Sequence, residues 1–155
     1  MEILRTEAMG EKLKVADRFE SRLHHVGFVV SDIETQAKAF ARSIGADWDT
    51  NIFDDPLQRV RVSFLRTACP QDALIELVQP AGEGSPVLNF LKKGGGLHHL
   101  CYEVIDLEGH LANVRDQGAI VVKRPLPAVA FDYRRIAWVL TKQKLLLEFL
   151  EKEKH

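Results

Sequence analysis

The chain repeats itself, and the repeat restricts the fold more than any other feature of the sequence. Laid over "LHHLCYEVIDLEGHLANVRDQGA" (97–119), the segment "LHHVGFVVSDIETQAKAFARSIGA" (23–46) pairs Leu23 with Leu97, His24 with His98, His25 with His99, Asp32 with Asp106 and Glu34 with Glu108, all at an offset of 74. Gly45 and Ala46 pair with Gly118 and Ala119 at an offset of 73, "RVSFL" (61–65) lies over "RIAWV" (135–139) at 74, and "LIELV" (74–78) lies over "LLEFL" (146–150) at 72. Four matched segments in one order and at nearly constant spacing describe two copies of one supersecondary unit.

Each copy reads as β-α-β-β-β. Residues 23–30 alternate and are rich in Val and Phe, which predicts a strand. Ser31 followed by Glu34 has the pattern of a capping box; Ile33, Ala37, Phe40 and Ile44 then share one helical face until Gly45 supplies a left-handed stop. In the second copy Asp106 is the cap, Leu107, Leu111 and Val114 form the stripe and Gly118 is the stop. Further strands are predicted near 47–53, 59–66 and 73–79, and near 120–124, 134–141 and 144–150. The copies are joined by "AGEGSPVLNFLKKGGG", where Ser85 can cap a short helix with Pro86 at its first position. The expected fold class is therefore α+β. Module one spans 22–80, the linker helix 81–96 and module two 97–151, packed as a single domain. Residues 1–21 form an amino-terminal extension in which Met9, Leu13, Ala16 and Phe19 can line one face of a surface helix.

Composition narrows the partners. With 155 residues, 46% of them hydrophobic, the chain can bury a real core. A net charge of -1, from 21 basic and 22 acidic residues without a long like-charged block, leaves no electrostatic footprint for nucleic acid. No apolar run approaches the roughly 18 residues of a membrane span, and the first 20 residues lack the apolar core of a secretory signal. Cys69 and Cys101 lack CxxC spacing. The expectation is a soluble, cytoplasmic protein with reduced thiols that handles a small molecule.

The paired histidines and two glutamates carry the chemistry. On a strand, neighbours face opposite sides, so one histidine of each pair can look into a given space. His24 goes with Val26, Phe28 and Val30, the apolar side expected to pack on the helix. His25 and His99 fall on the mixed-polarity side. Glu76 and Glu148 are the lone charges in their apolar strands, where an unpartnered carboxylate costs several kcal/mol or takes up a proton. Pseudo-twofold symmetry brings His25, Glu76, His99 and Glu148 together if the sheets curl around a shared cavity. Two imidazoles and two carboxylates suit a borderline divalent ion. His24 and His98 are read as structural, His110 as exposed and Cys101 as a buried inert thiol.

At these residues the chain resembles a known family. "LHHVGFVV", "IELVQP", "SPVLNFLKKGGGLHHLCYEV" and "LLLEFLE" look like the vicinal oxygen chelate superfamily (glyoxalase/bleomycin resistance/dioxygenase), nearest to its methylmalonyl-CoA epimerase-like members, over residues 22–151. The resemblance implies two βαβββ modules forming a cupped mixed sheet around a divalent metal (Co, Ni, Mn, Fe or Zn). The family's ligand positions are His25, Glu76, His99 and Glu148. It implies removal of a proton α to a carbonyl through a metal-stabilised enolate, with the carboxylates Glu148 and Glu76 in catalytic positions and Glu148 as the base. A small-molecule substrate such as an acyl thioester and a homodimer are implied as well. Where some relatives place a second carboxylate this chain has Arg61; Arg61 and its repeat mate Arg135 can hold a substrate carboxylate or phosphate. The segments "PLPAVAFDYRR" and "VLTKQKLLLE" depart from the epimerase pattern where the acyl thioester is received. The alternatives are a glyoxalase I-like lactoylglutathione lyase and a non-catalytic binding protein of the bleomycin-resistance type.

Overall fold

The computed structural model describes residues 20–154. The first copy gives β1 (Ser21–Val29), α1 (Ile33–Ile44), β2 (Asp47–Trp48), β3 (Phe53–Asp55), β4 (Val60–Arg66) and β5 (Leu74–Pro80). After α2 (Leu88–Lys92), the second copy gives β6 (Gly96–Val104), α3 (Leu107–Asp116), β7 (Ile120–Pro127), a 3₁₀ turn at Val129–Phe131, β8 (Arg135–Leu140) and β9 (Leu146–Glu151). All nine strands belong to one mixed sheet in the order β2-β4-β5-β1-β6-β9-β8-β7, with β3 paired to β4. The expected α+β architecture of two repeated units is present. The extension helix through Met9, Leu13, Ala16 and Phe19 lies outside the described residues.

The repeat appears in the pairing. Within each copy the first strand runs parallel to the last, β1 beside β5 and β6 beside β9, and the copies join where β1 and β6 run antiparallel. The four strands carrying the two histidine pairs and the two glutamates are therefore the central four. One face of the sheet is covered by helices. Ile33, Ala37 and Ala41 of α1 bury against Leu65 and Leu77, and Leu107 and Leu111 of α3 bury against Ala137, Val139 and Phe149. Each large side chain buried this way stabilises the fold by about 1.5–3 kcal/mol. The opposite face curls over a cavity.

Local details differ from the sequence expectation for identifiable reasons. The cap of α1 is Asp32, which accepts from the Thr35 backbone N–H at 3.3 Å and its hydroxyl at 2.7 Å; Ser31 instead donates to the Gln36 amide oxygen. Ile44 is 43% exposed because the buried stripe runs through Ala41, one turn earlier. The strand expected near 47–53 splits into β2 and β3 at a turn in which the Asn51 N–H donates to Asp49 Oδ1 and Thr50 has φ 67°. Ser85 does not cap α2, whose first residue is Leu88.

Candidate metal centre

The sheet brings together the four residues singled out in the sequence. His25, Glu76, His99 and Glu148 are all buried, on β1, β5, β6 and β9 respectively. His25 Nε2 lies 3.2 Å from His99 Nε2 and 3.2 Å from Glu76 Oε2, and His99 Nε2 lies 3.1 Å from that same oxygen. The Glu148 oxygens lie 3.6 Å from His25 Nε2 and 4.0 Å from His99 Nε2. Ligand bonds of about 2.1 Å in a tetrahedron or octahedron put neighbouring donors about 3.0–3.4 Å apart; the two imidazole nitrogens and Glu76 Oε2 have that spacing, and the Glu148 oxygens lie slightly beyond it. Glu148 Oε1 is buried without a hydrogen-bond partner. A buried, unpartnered acceptor beside two imidazole nitrogens is what a divalent cation would satisfy, so the donor set fits the ion that the sequence pattern implied.

The outer histidines answer for the pairing. Leu23 opposes Tyr102 and His25 opposes Cys101, leaving His24 as an extra residue in β1; Gly27 opposes His99 and Phe28 opposes Leu97, leaving His98 extra in β6. Both sit at β-bulges, which re-aim a side chain and break strict alternation. His24 therefore does not pack on the helix as expected. Its ring lies against Phe131, and its Nδ1 is 2.9 Å from His25 Nδ1; likewise His98 Nδ1 is 2.8 Å from His99 Nδ1. Each inner ring is thus held from behind by its neighbour, leaving Nε2 of both turned to the common centre. Such partners fix the tautomer and orientation of a ligating imidazole. Burial, helped by the charge of the adjacent inner histidine, lowers both His24 and His98 to about 4, so both stay neutral at physiological pH.

Several residues that shape the site were not singled out in the sequence. Gly27 sits directly opposite His99, and a Cβ there would occupy the space of the imidazole ring. An isolated glycine inside a strand marks such close approaches, and that was its available signal. Phe131 stacks on His25 at 5.5 Å and Trp138 meets His99 edge-on at 4.6 Å. Their recruitment depends on the curl of the sheet, which no local pattern encodes.

The carboxylates are driven apart electrostatically. Burial favours the neutral acid at both, but the charge of and hydrogen bonds from His25 and His99 outweigh it at Glu76 and hold that group well below the usual carboxylate range. At Glu148 burial prevails over the two histidines, aided by repulsion from Glu76, and its pKa is raised. Although burial opposes it, His25 is raised by the charge of and hydrogen bond to Glu76. Burial and the neighbouring carboxylates push the Cys101 thiol well up, so it remains an uncharged thiol. His110 is half-buried against the Phe149 ring at 4.4 Å, not exposed as expected.

Glu76, His99 and Glu148 line a cavity of about 310 Å³ with mostly apolar walls, among them Val60, Val62, Ile136 and Trp138. Arg61 and Arg135 do not line it. Strand alternation turns them to the helix-covered face, where Arg61 bonds Asp54 at 3.0 Å and Arg135 is clamped by Glu151 and Glu108 at 2.8 and 2.7 Å. A substrate anion inside the cavity is out of their reach, which corrects the expectation that they bind it.

Comparison with known proteins agrees with this geometry. The chain is 36% identical over 110 residues, 70% of its length and 79% of the relative's, to the ethylmalonyl-CoA/methylmalonyl-CoA epimerase of Cereibacter sphaeroides. It is 26% identical over 136 residues, 84% of its length and 78% of the relative's, to the mitochondrial methylmalonyl-CoA epimerase of Dictyostelium discoideum. The crystal structure of methylmalonyl-CoA epimerase from Mycobacterium tuberculosis superimposes with a TM-score of 0.73 at 26% identity, covering 85% of this chain and 88% of that one. Residues 24–138 match the profile of the Glyoxalase/Bleomycin resistance protein/Dioxygenase superfamily, and with the repeated units and the cupped sheet in place, the chain belongs to that superfamily.

Proposed function

We propose that the protein is a metal-dependent epimerase that inverts a carbon α to the carbonyl of a short acyl-CoA thioester. The observation that carries this reading is the clustering of two imidazoles and two carboxylates beside a cavity with mostly apolar walls. A divalent ion held by His25, Glu76, His99 and Glu148 would supply Lewis-acid stabilisation of the negative charge that develops on the carbonyl oxygen. The environments of the two glutamates divide their roles. Glu76, held ionised, serves as an anionic anchor of the site. Glu76 Oε2 is engaged by both imidazoles, whereas Glu148 Oε1 lacks a hydrogen-bond partner and is the carboxylate oxygen available as base toward a weakly acidic C–H. The apolar walls exclude water from the carbanion-like species and lower the dielectric around it. The cavity, at the lower end of the roughly 300–1,000 Å³ typical of ligand sites, suits a short acyl group with the bulk of its carrier outside.

The named relatives support the substrate class, since the bacterial one acts on ethylmalonyl-CoA and methylmalonyl-CoA. The test is NMR in deuterated water with (2R)- or (2S)-methylmalonyl-CoA and cobalt-reloaded protein. Deuterium at the α-carbon with inversion is the expected result. Bound metal without exchange would overturn the substrate assignment.

A further inference from the structure

A proton removed on one face of a planar enolate has to be returned on the other for inversion, so an epimerase needs a second proton carrier besides Glu148. The cavity limits the choice. Six of its lining side chains can carry a proton: Asp55, Glu76, His98, His99, Lys123 and Glu148. Glu76, His99 and Glu148 belong to the central cluster, and the His98 ring is tied to His99. Both Asp55 oxygens are engaged by backbone N–H groups, Oδ1 by Leu57 and Gln58 and Oδ2 by Val129. Lys123 remains.

Its position results from a local device. Val121 opposes Val139 while Lys123 opposes Trp138, so Val122 is an extra residue in β7. Without that bulge Lys123 would share the helix-covered side with Val121, which packs near α3; with it, the side chain turns to the cavity beside Trp138. There Lys123 Nζ donates to Gln58 Oε1 at 2.9 Å and makes no ion pair among the described residues. Because a lysine can only donate, Gln58 has to present its oxygen to it. The Gln58 Nε2 group therefore points elsewhere, and it is buried without an acceptor. Gln58 follows β3 and Lys123 lies on β7, near opposite edges of the sheet, so their bond spans the curled sheet. The metal-site residues lie on the central four strands. The ammonium thus stands at the joined outer edges of the curled sheet and the cluster at its centre, and both line the same cavity.

We infer that Lys123 is the second proton-transferring group, working against Glu148 across the cavity, with Gln58 holding its amine in place. This rests on the epimerase reading. In one direction the Glu148 carboxylate takes the α-proton and the C–H electron pair passes into the enolate. The Lys123 ammonium then gives an N–H proton to the opposite face, the pair returning to form the new C–H bond. Neutral Lys123 and protonated Glu148 remain, and exchange with water resets both. In the other direction a neutral Lys123 removes the proton and protonated Glu148 returns one. Burial lowers the Lys123 pKa, which makes the neutral amine more accessible than on a surface lysine.

The test compares cobalt-loaded wild type with Lys123→Met and Gln58→Leu, measuring cobalt per chain, inversion, and α-deuterium uptake from each methylmalonyl-CoA enantiomer separately. Lys123→Met is expected to keep its cobalt and lose inversion by about 100-fold or more. The enantiomer that presents its proton to Glu148 should still exchange it without inverting. Gln58→Leu should slow inversion by less than Lys123→Met does while leaving cobalt content unchanged. Inversion within tenfold of wild type in Lys123→Met would overturn the inference. So would equal loss of exchange from both enantiomers with a raised KM, since that marks a substrate anchor. Loss of cobalt in Lys123→Met, with Gln58→Leu indistinguishable from wild type, would also overturn it. A wild type that binds cobalt but exchanges neither enantiomer refutes the epimerase reading itself, and the inference falls with it.

Discussion

Gly27 shows how much of the site depends on one missing methylene. The His99 ring lies across the strand directly over the Gly27 Cα, in the space any other residue would fill. Gly27→Ala should push that imidazole off the common centre and cost about 1–3 kcal/mol through overpacking. Metal titration together with urea unfolding checks this; wild-type metal affinity in a stable Gly27→Ala protein would refute it. The outer histidines act one bond further back. His24→Ala and His98→Ala are each expected to remain folded and to weaken metal binding about 10–100-fold by releasing the ring that orients the ligand. A competition titration against a chromogenic chelator measures that shift. At this scale the sequence was readable where ionisable residues recur in both copies. His25, Glu76, His99 and Glu148 stand at matched positions with no packing reason to be ionisable, and the structure brings them together. Gln58 and Lys123 have no repeat partner to betray them, and they meet through a contact 65 residues apart in the chain.

The elements explain which expectations went astray. Period-two alternation assigns faces only while register is unbroken, and the bulges at His24, His98 and Val122 break it next to residues of the cluster or the cavity lining. Nothing in a single strand's sequence announces a bulge, since it is defined by the partner strand. Arg61 and Arg135 lie on unbroken stretches, and alternation there gives the correct face, the one away from the site. The caps illustrate the same distinction between local and non-local information. Asp106 caps α3 through the Gly109 N–H at 3.0 Å as its sequence pattern suggested. Asp106→Ala should therefore destabilise the protein by about 1 kcal/mol, measured as a lower urea midpoint at unchanged m-value. Wild-type stability in that variant would show that the bond contributes nothing.

At the scale of the molecule, a metal held by the four candidate ligands would link binding to folding, because those residues come from four strands of two repeated units. At a free metal concentration of 100 times Kd the ion should stabilise the fold by about 2.7 kcal/mol. For a chain of this size that corresponds to a fall in Tm of about 5–10 °C on chelation. The pH dependence of the stripped protein has a defined sign. The raised pKa values of His25 and Glu148 contribute stability at low pH that is lost as pH rises through their folded values. Depression of Glu76 contributes stability present above its ordinary value of about 4.3 and lost as pH falls further. Stripped protein should thus be most stable in mildly acidic solution. Metal-loaded protein should gain as pH rises, because the ion needs His25 deprotonated. Thermal scans of both forms between pH 5 and pH 8 check the divergence; parallel curves would contradict it.

Four side chains from the two copies, we propose, form one metal centre. Elemental analysis after cobalt reloading, on the wild type and on folded His99→Ala and Glu148→Ala proteins, tests it most directly. About one cobalt per chain is expected in the wild type, with loss of stoichiometric binding in both variants. Full cobalt content in both variants would show that the metal, if bound, is held elsewhere.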